Sequence, residues 1–192
     1  ANSLKIMGDA ARPVLPDMLK AVVDTAEPLQ PIAWDDPVQL THGELADALF
    51  GGLIRNSFEG IDRDLIYPSI RAVSRNADGM ARAKLRHIFE NVLTLDDVVA
   101  LGPDILAAID QVAPADTMFG NEIRMGGLRA LGKYHFKEAI PVSVKFAATQ
   151  SPHGSESRMG EIMKVLVTYG TAARPVVPRL KEVIAACNLQ LK

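Results

Sequence analysis

The chain has 192 residues, 48% of them hydrophobic, 23% charged and only 5% aromatic, with a formal charge of −2. That size and balance suit a globular core of Leu, Ile, Val, Ala and Met, residues that helices accept, and so favour an all-α fold. A charge near zero excludes a global field able to grip a phosphate backbone or an anionic membrane surface, no apolar run reaches the length of a bilayer span, and a single cysteine, Cys187, excludes an internal disulfide and a cysteine-rich zinc site.

In chain order, Leu4-Lys5-Ile6-Met7-Gly8 has the pattern of a helix's last turn and matches Leu166-Val167-Thr168-Tyr169-Gly170, so the chain is expected to be a piece of a longer protein. The run Gly8-Asp9-Ala10-Ala11-Arg12-Pro13-Val14-Leu15-Pro16 returns as Gly170-Thr171-Ala172-Ala173-Arg174-Pro175-Val176-Val177-Pro178. Such self-similarity marks stacked supersecondary units. Pro16 precedes an apolar stripe with Met18 and Val22, and four prolines repeat the arrangement: Pro68 before Ile70 and Val73, Pro103 before Ile105 and Ile109, Pro141 before Val144 and Phe146, Pro178 before Leu180 and Ile184. Each is expected to open the second helix of a pair, because proline has no N–H to leave unsatisfied in a first turn and its φ is already helical. Their separations of 52, 35, 38 and 37 residues fit helical hairpins, with an insertion at 26–40 enlarging the first interval.

The first helices are expected at 43–56, 80–92, 123–134 and 158–169, which divides a single domain into units of roughly 1–25, 41–77, 78–113, 117–150 and 155–188. Thr41-His42-Gly43-Glu44 and Thr94-Leu95-Asp96-Asp97 have capping-box spacing, and Asp62 and Asp78 stand where a carboxylate can cap a following helix. Gly132 and Gly170 are expected to end first helices. Gly51-Gly52 and Gly126-Gly127 lack phosphate-loop spacing and are assigned to close helix packing.

Leu128-Arg129-Ala130-Leu131-Gly132 followed by Ala139-Ile140-Pro141, Tyr169-Gly170 with Ala173 and Val177-Pro178, and Met7-Gly8 with Ala11 and Leu15-Pro16 together resemble the HEAT-type, and more loosely the armadillo-type, helical repeat family. The resemblance implies a right-handed α-solenoid of about five hairpins, the first truncated. It also implies a non-catalytic scaffold or protein-binding module within a larger polypeptide.

Two sets of residues are candidates for a partner surface. Trp34, followed by Asp35 and Asp36 in the proline-rich insertion, either contacts a ligand or partner or packs over an end of the stack with its aspartates solvated. Lys20, Arg71, Lys145 and Lys181 follow their prolines by three or four positions and form a basic ladder, interrupted in the third unit by Leu106 and Ala107. Such a ladder either offers positive charge to an acidic peptide or phosphate backbone, or is the solvated face of amphipathic helices. His42, His87, His135 and His153 fall in different units without metal-ligand spacing, and Cys187 has the apolar neighbours of an inert thiol. The expectation is therefore no catalytic residue, no metal, no cofactor and no membrane insertion, with a protein as partner. An accessory or substrate-binding domain of an enzyme whose catalytic part lies elsewhere is the alternative, and nucleic-acid binding through the ladder comes third.

Overall fold

The computed structural model describes residues 6–26, 37–76, 79–110, 120–150 and 157–189, and no strand occurs among the described residues. The protein is all-helical. A 3₁₀ segment, Gly8–Val14, runs into α1, Leu15–Asp24. Helix α2, Pro37–Ala48, continues into a π-helical turn, Leu49–Leu53, that contains Gly51 and Gly52. Then come α3, Arg63–Ser74, α4, Gly79–Ala83, α5, Leu85–Asn91, and α6, Leu95–Asp110. Helices α7, Gly120–Lys133, α8, Ala139–Ala148, and α9, Met159–Thr168, precede a second 3₁₀ segment, Gly170–Val176, which leads into α10, Val177–Leu189.

The two Ala-Ala-Arg-Pro stretches have the same backbone. Gly8 and Gly170 open them at φ 54° and 55°, and the segments hand over to α-helix at Leu15 (φ −57°, ψ −43°) and Val177 (φ −56°, ψ −42°). Only glycine takes the left-handed φ without steric cost, and each stretch buries one alanine, Ala11 at 1% exposure and Ala173 at 9%.

Packing follows the chain. Helix α1 lies against α3, α3 against α6, α6 against α8 and α8 against α10, while α2 contacts α4, both α4 and α5 contact α7, and α7 contacts α9. One apolar cluster runs through these contacts from Leu15 to Val183, with Leu, Ile, Phe and Val side chains at its centre. Each fully buried aliphatic side chain stabilises by roughly 1.5–3 kcal/mol before conformational entropy is set against it.

Helix α7 is where neighbours approach most closely, and its glycines are the reason. A Cβ on Gly126 would lie 2.9 Å from the Arg86 Cα of α5; one on Gly127 would lie 2.8 Å from Ile109 side-chain carbons and 2.9 Å from Ile105 Cγ2 of α6. A Cβ on Gly132 would meet Val165 Cγ1 at 3.0 Å and Thr168 Oγ1 at 3.1 Å on α9. The packing role assigned to Gly126-Gly127 is what the geometry shows.

Gly132 does not end α7. The helix stops through His135, at φ 56°, whose N–H donates to Gly132 O at 3.1 Å while Phe136 N–H donates to Leu131 O at 2.8 Å. This pair of bonds satisfies the last carbonyls in the Schellman pattern, with histidine in place of the usual glycine. Phe136 thereby folds onto α6 at Gly102, where a Cβ would sit 2.6 Å from the ring.

Two prolines also differ from expectation. Pro16 and Pro178 lie next to the starts of α1 and α10 and Pro141 in the first turn of α8, but Pro68 and Pro103 are interior to α3 and α6. Stronger signals upstream start those helices. Asp62, in an extended conformation, accepts from Asp64 N–H at 2.9 Å. At α6, Thr94 N–H and Oγ1 both donate to Asp97 Oδ2 at 2.9 Å, and Asp97 N–H donates back to Thr94 Oγ1 at 3.3 Å, a reciprocal capping box. Thr41-His42-Gly43-Glu44 lies inside α2 and not at its start, since α2 begins at Pro37, inside the stretch assigned to the insertion. Asp78 lies outside the described residues.

Candidate interaction surface

Lys20, Arg71, Lys145 and Lys181 stand on α1, α3, α8 and α10, the helices that pack in succession. Three of the four meet a carboxylate. Lys20 Nζ pairs with Asp24 one turn along α1, at an exposed position. Arg71 Nε donates to Asp104 Oδ2 on α6 at 2.8 Å, and Arg75 closes on the other oxygen of the same carboxylate. Lys145 pairs with Asp110 at the end of α6. Lys181 is exposed, with no carboxylate partner among the described residues. Leu106 and Ala107, which interrupt the ladder, are half-buried. Trp34, Asp35 and Asp36 lie outside the described residues, as does His153.

Arg71 has a second task. Its Nη2 reaches Ala100 O at 3.4 Å, also on α6. Charge and donor geometry at Arg71 are thus committed to α6.

Asp97 is the most enclosed carboxylate of this side, 1% exposed. Besides the Thr94 bonds it accepts from Arg63 Nε at 2.7 Å and from the Tyr67 hydroxyl at 2.8 Å. Burial pushes its pKa up, but the hydrogen bonds from Thr94, Tyr67 and Arg63 outweigh burial and hold it below the ordinary aspartate value. Burial, then the bond to Asp97, raises the Tyr67 pKa.

The other set of helices carries a continuous run of alternating charge. Glu122 of α7 pairs with Arg86 of α5, Arg86 Nε with Glu90 at 3.1 Å, Glu90 with Arg129 of α7, and Arg129 with Glu161 of α9. Lys84 Nζ, just before α5, pairs with Asp47 of α2 at 2.9 Å. None of these residues stood out as a candidate in the sequence. Their signal was the recurrence of opposite charges at matching positions of successive first helices, which is visible only after the units are aligned.

His42 is buried, with Nδ1 3.3 Å from Thr25 Oγ1; His87 faces Asn91 at 3.2 Å; and His135 meets the Tyr169 ring edge-on. Cys187 is half-buried, its Sγ 4.0 Å from Gln150 O. Among the described residues no group of three His, Cys, Asp or Glu converges as metal ligands would, and no described helix is long and apolar enough to cross a membrane. No protein-family model, curated protein or solved structure matches the chain.

Proposed function

We propose that the chain is a non-catalytic α-solenoid of HEAT-like hairpins that binds protein within a larger polypeptide. What supports the reading above all is the pair of Ala-Ala-Arg-Pro stretches: far apart in sequence, they share a glycine at the same positive φ, a 3₁₀ segment that differs only in Asp9 against Thr171, and an α-helix that starts two residues after the segment's proline, at Leu15 and Val177. Equal local structure at equal sequence is what repeated units produce, and the order of helix contacts is that of units each touching the next. A stack of this kind presents a long surface built from many side chains, suited to gripping another macromolecule.

Two measurements test the proposal. A compact domain of 192 residues has a radius of gyration of about 16 Å, so small-angle scattering should return a larger value, and agreement with the compact figure overturns the solenoid. Affinity capture followed by reconstitution with the purified partner should give saturable stoichiometric binding of a protein. Retention of nucleic acid alone, with no protein reconstituted, overturns the binding assignment.

A further inference from the structure

Many lysines and arginines among the described residues pair with a carboxylate, and two lysines without such a partner line one groove. Between α7 and α9 runs an open groove of about 690 Å³, floored by Gly132, Val165 and Thr168. At one level it is bridged by Arg129 of α7 and Glu161 of α9, an ion pair across the two helices. One turn further along each helix stand Lys133 and Lys164, both exposed and both lining the same groove, and neither has a carboxylate partner. The nearest feature to Lys133 Nζ is the Tyr134 ring, 4.9 Å to its centroid.

The groove thus repeats its architecture without repeating its neutralisation. At the first level a cation faces an anion; at the second, two cations share a channel. An acidic group entering the groove at this level meets two exposed ammonium groups. Val165 and Thr168 fill the space that a Gly132 side chain would take, and the Thr168 hydroxyl donates to Val165 O at 2.7 Å and Gly132 O at 3.2 Å, so neither supplies negative charge.

We infer that the groove between α7 and α9 is the docking site for an extended acidic segment of a partner protein, whose carboxylates pair with the ammonium groups of Lys133 and Lys164. This rests on the protein-binding reading given above. A helix advances about 5.4 Å per turn and alternate side chains of an extended strand lie about 6.6–6.8 Å apart, so an acidic segment along the groove spans both levels. Nucleic acid is the poorer match: two free ammonium groups cannot answer a run of phosphates, and the lining offers no aromatic face for base stacking.

The test is titration of the chain with a fluorescent deca-glutamate peptide, with deca-glutamine and a single-stranded oligonucleotide as competitors, and amide chemical shifts to map the contact. The expected result is saturable binding of the glutamate peptide alone, shifts centred on Gly132, Val165 and Thr168, and a loss of roughly tenfold or more in affinity for Lys164→Glu. Because Lys164 is exposed, the thermal stability of Lys164→Glu should stay close to that of the parent, which separates lost binding from lost folding. The milder Lys133→Gln should weaken binding in the same direction. Absence of peptide binding, shifts centred elsewhere, or tighter binding of the oligonucleotide overturns the inference. If a reconstituted protein partner binds but ignores Lys164→Glu, the groove assignment fails while the protein-binding reading stands.

Discussion

Alanine at Gly126 and at Gly160 should move stability in opposite directions, although both glycines are helical. In α9 a Cβ on Gly160 would meet nothing within 4 Å, so Gly160→Ala keeps only the gain in helix propensity, about 0.5 kcal/mol near a helix start. On Gly126 the same methyl group would lie 2.9 Å from Arg86 Cα and 3.1 Å from Arg86 O. Carbon atoms rest at about 3.5–4.0 Å, and the obstruction is backbone, which no rotamer change can clear. Helices α5 and α7 must therefore separate by some half an ångström, at a typical overpacking cost of about 1–3 kcal/mol. Against a propensity gain of about 1 kcal/mol, Gly126→Ala should lose about 1 kcal/mol net. For a chain of this length that is a fall in Tm of about 2–4 °C, beside a rise of about 1–2 °C for Gly160→Ala. Thermal unfolding followed by circular dichroism gives the signs, and amide exchange should show the loss concentrated in α5 and α7. A Gly126→Ala variant as stable as Gly160→Ala would refute the close approach on which the packing of α7 depends.

Asp97→Asn should destabilise by about 2–3 kcal/mol at neutral pH, since it removes a buried charge that answers Arg63 and weakens the cap of α6. The native Asp97 pKa is lowered, so its contribution is complete above the unfolded value near 3.9 and disappears as pH falls through the native value. Denaturant titrations of the parent should accordingly lose stability on acidification in that range, and Asp97→Asn should lose less; parallel profiles would contradict the assignment. Gly170→Ala should cost about 1 kcal/mol despite open space around it, because the strain lies in the φ of 55°, and Gly170→Asn should cost less. Equal denaturation midpoints for the two variants would show that the conformation is not what glycine supplies there.

What was legible in the sequence was local. The Thr94–Asp97 box and the Asp62 cap involve residues two or three apart, so their spacing carries the whole interaction. The Ala-Ala-Arg-Pro stretches were legible for the same reason, as each encodes its own turn. What failed depended on distant partners. Gly132 had the position of a helix stop, but its lack of a side chain serves α9, and the stop falls to His135, whose residue type gives little sign of a left-handed φ. Pro68 and Pro103 marked the phase of the repeat correctly yet not the helix starts, since capping upstream outweighed them. Residues 111–119 and the part of the insertion around Trp34, 27–36, fall outside the described residues.

Charge shows the same division between local and distant information. Sequence identifies cations and their periodicity, and on that basis Lys20, Arg71, Lys145 and Lys181 looked like a positive stripe. Whether a cation is available to a partner depends on the element that packs beside it. Arg71 is spent on Asp104 and the Ala100 carbonyl, both contributed by α6, and reversing it would break an internal contact before it changed any surface potential. Loss of binding in an Arg71→Glu variant would therefore be ambiguous. Lys133 and Lys164, by contrast, answer to no carboxylate of the described residues, so their substitution changes the surface and little else. The useful property for choosing probes is thus not positive charge but positive charge left over after the neighbouring unit has been packed in place.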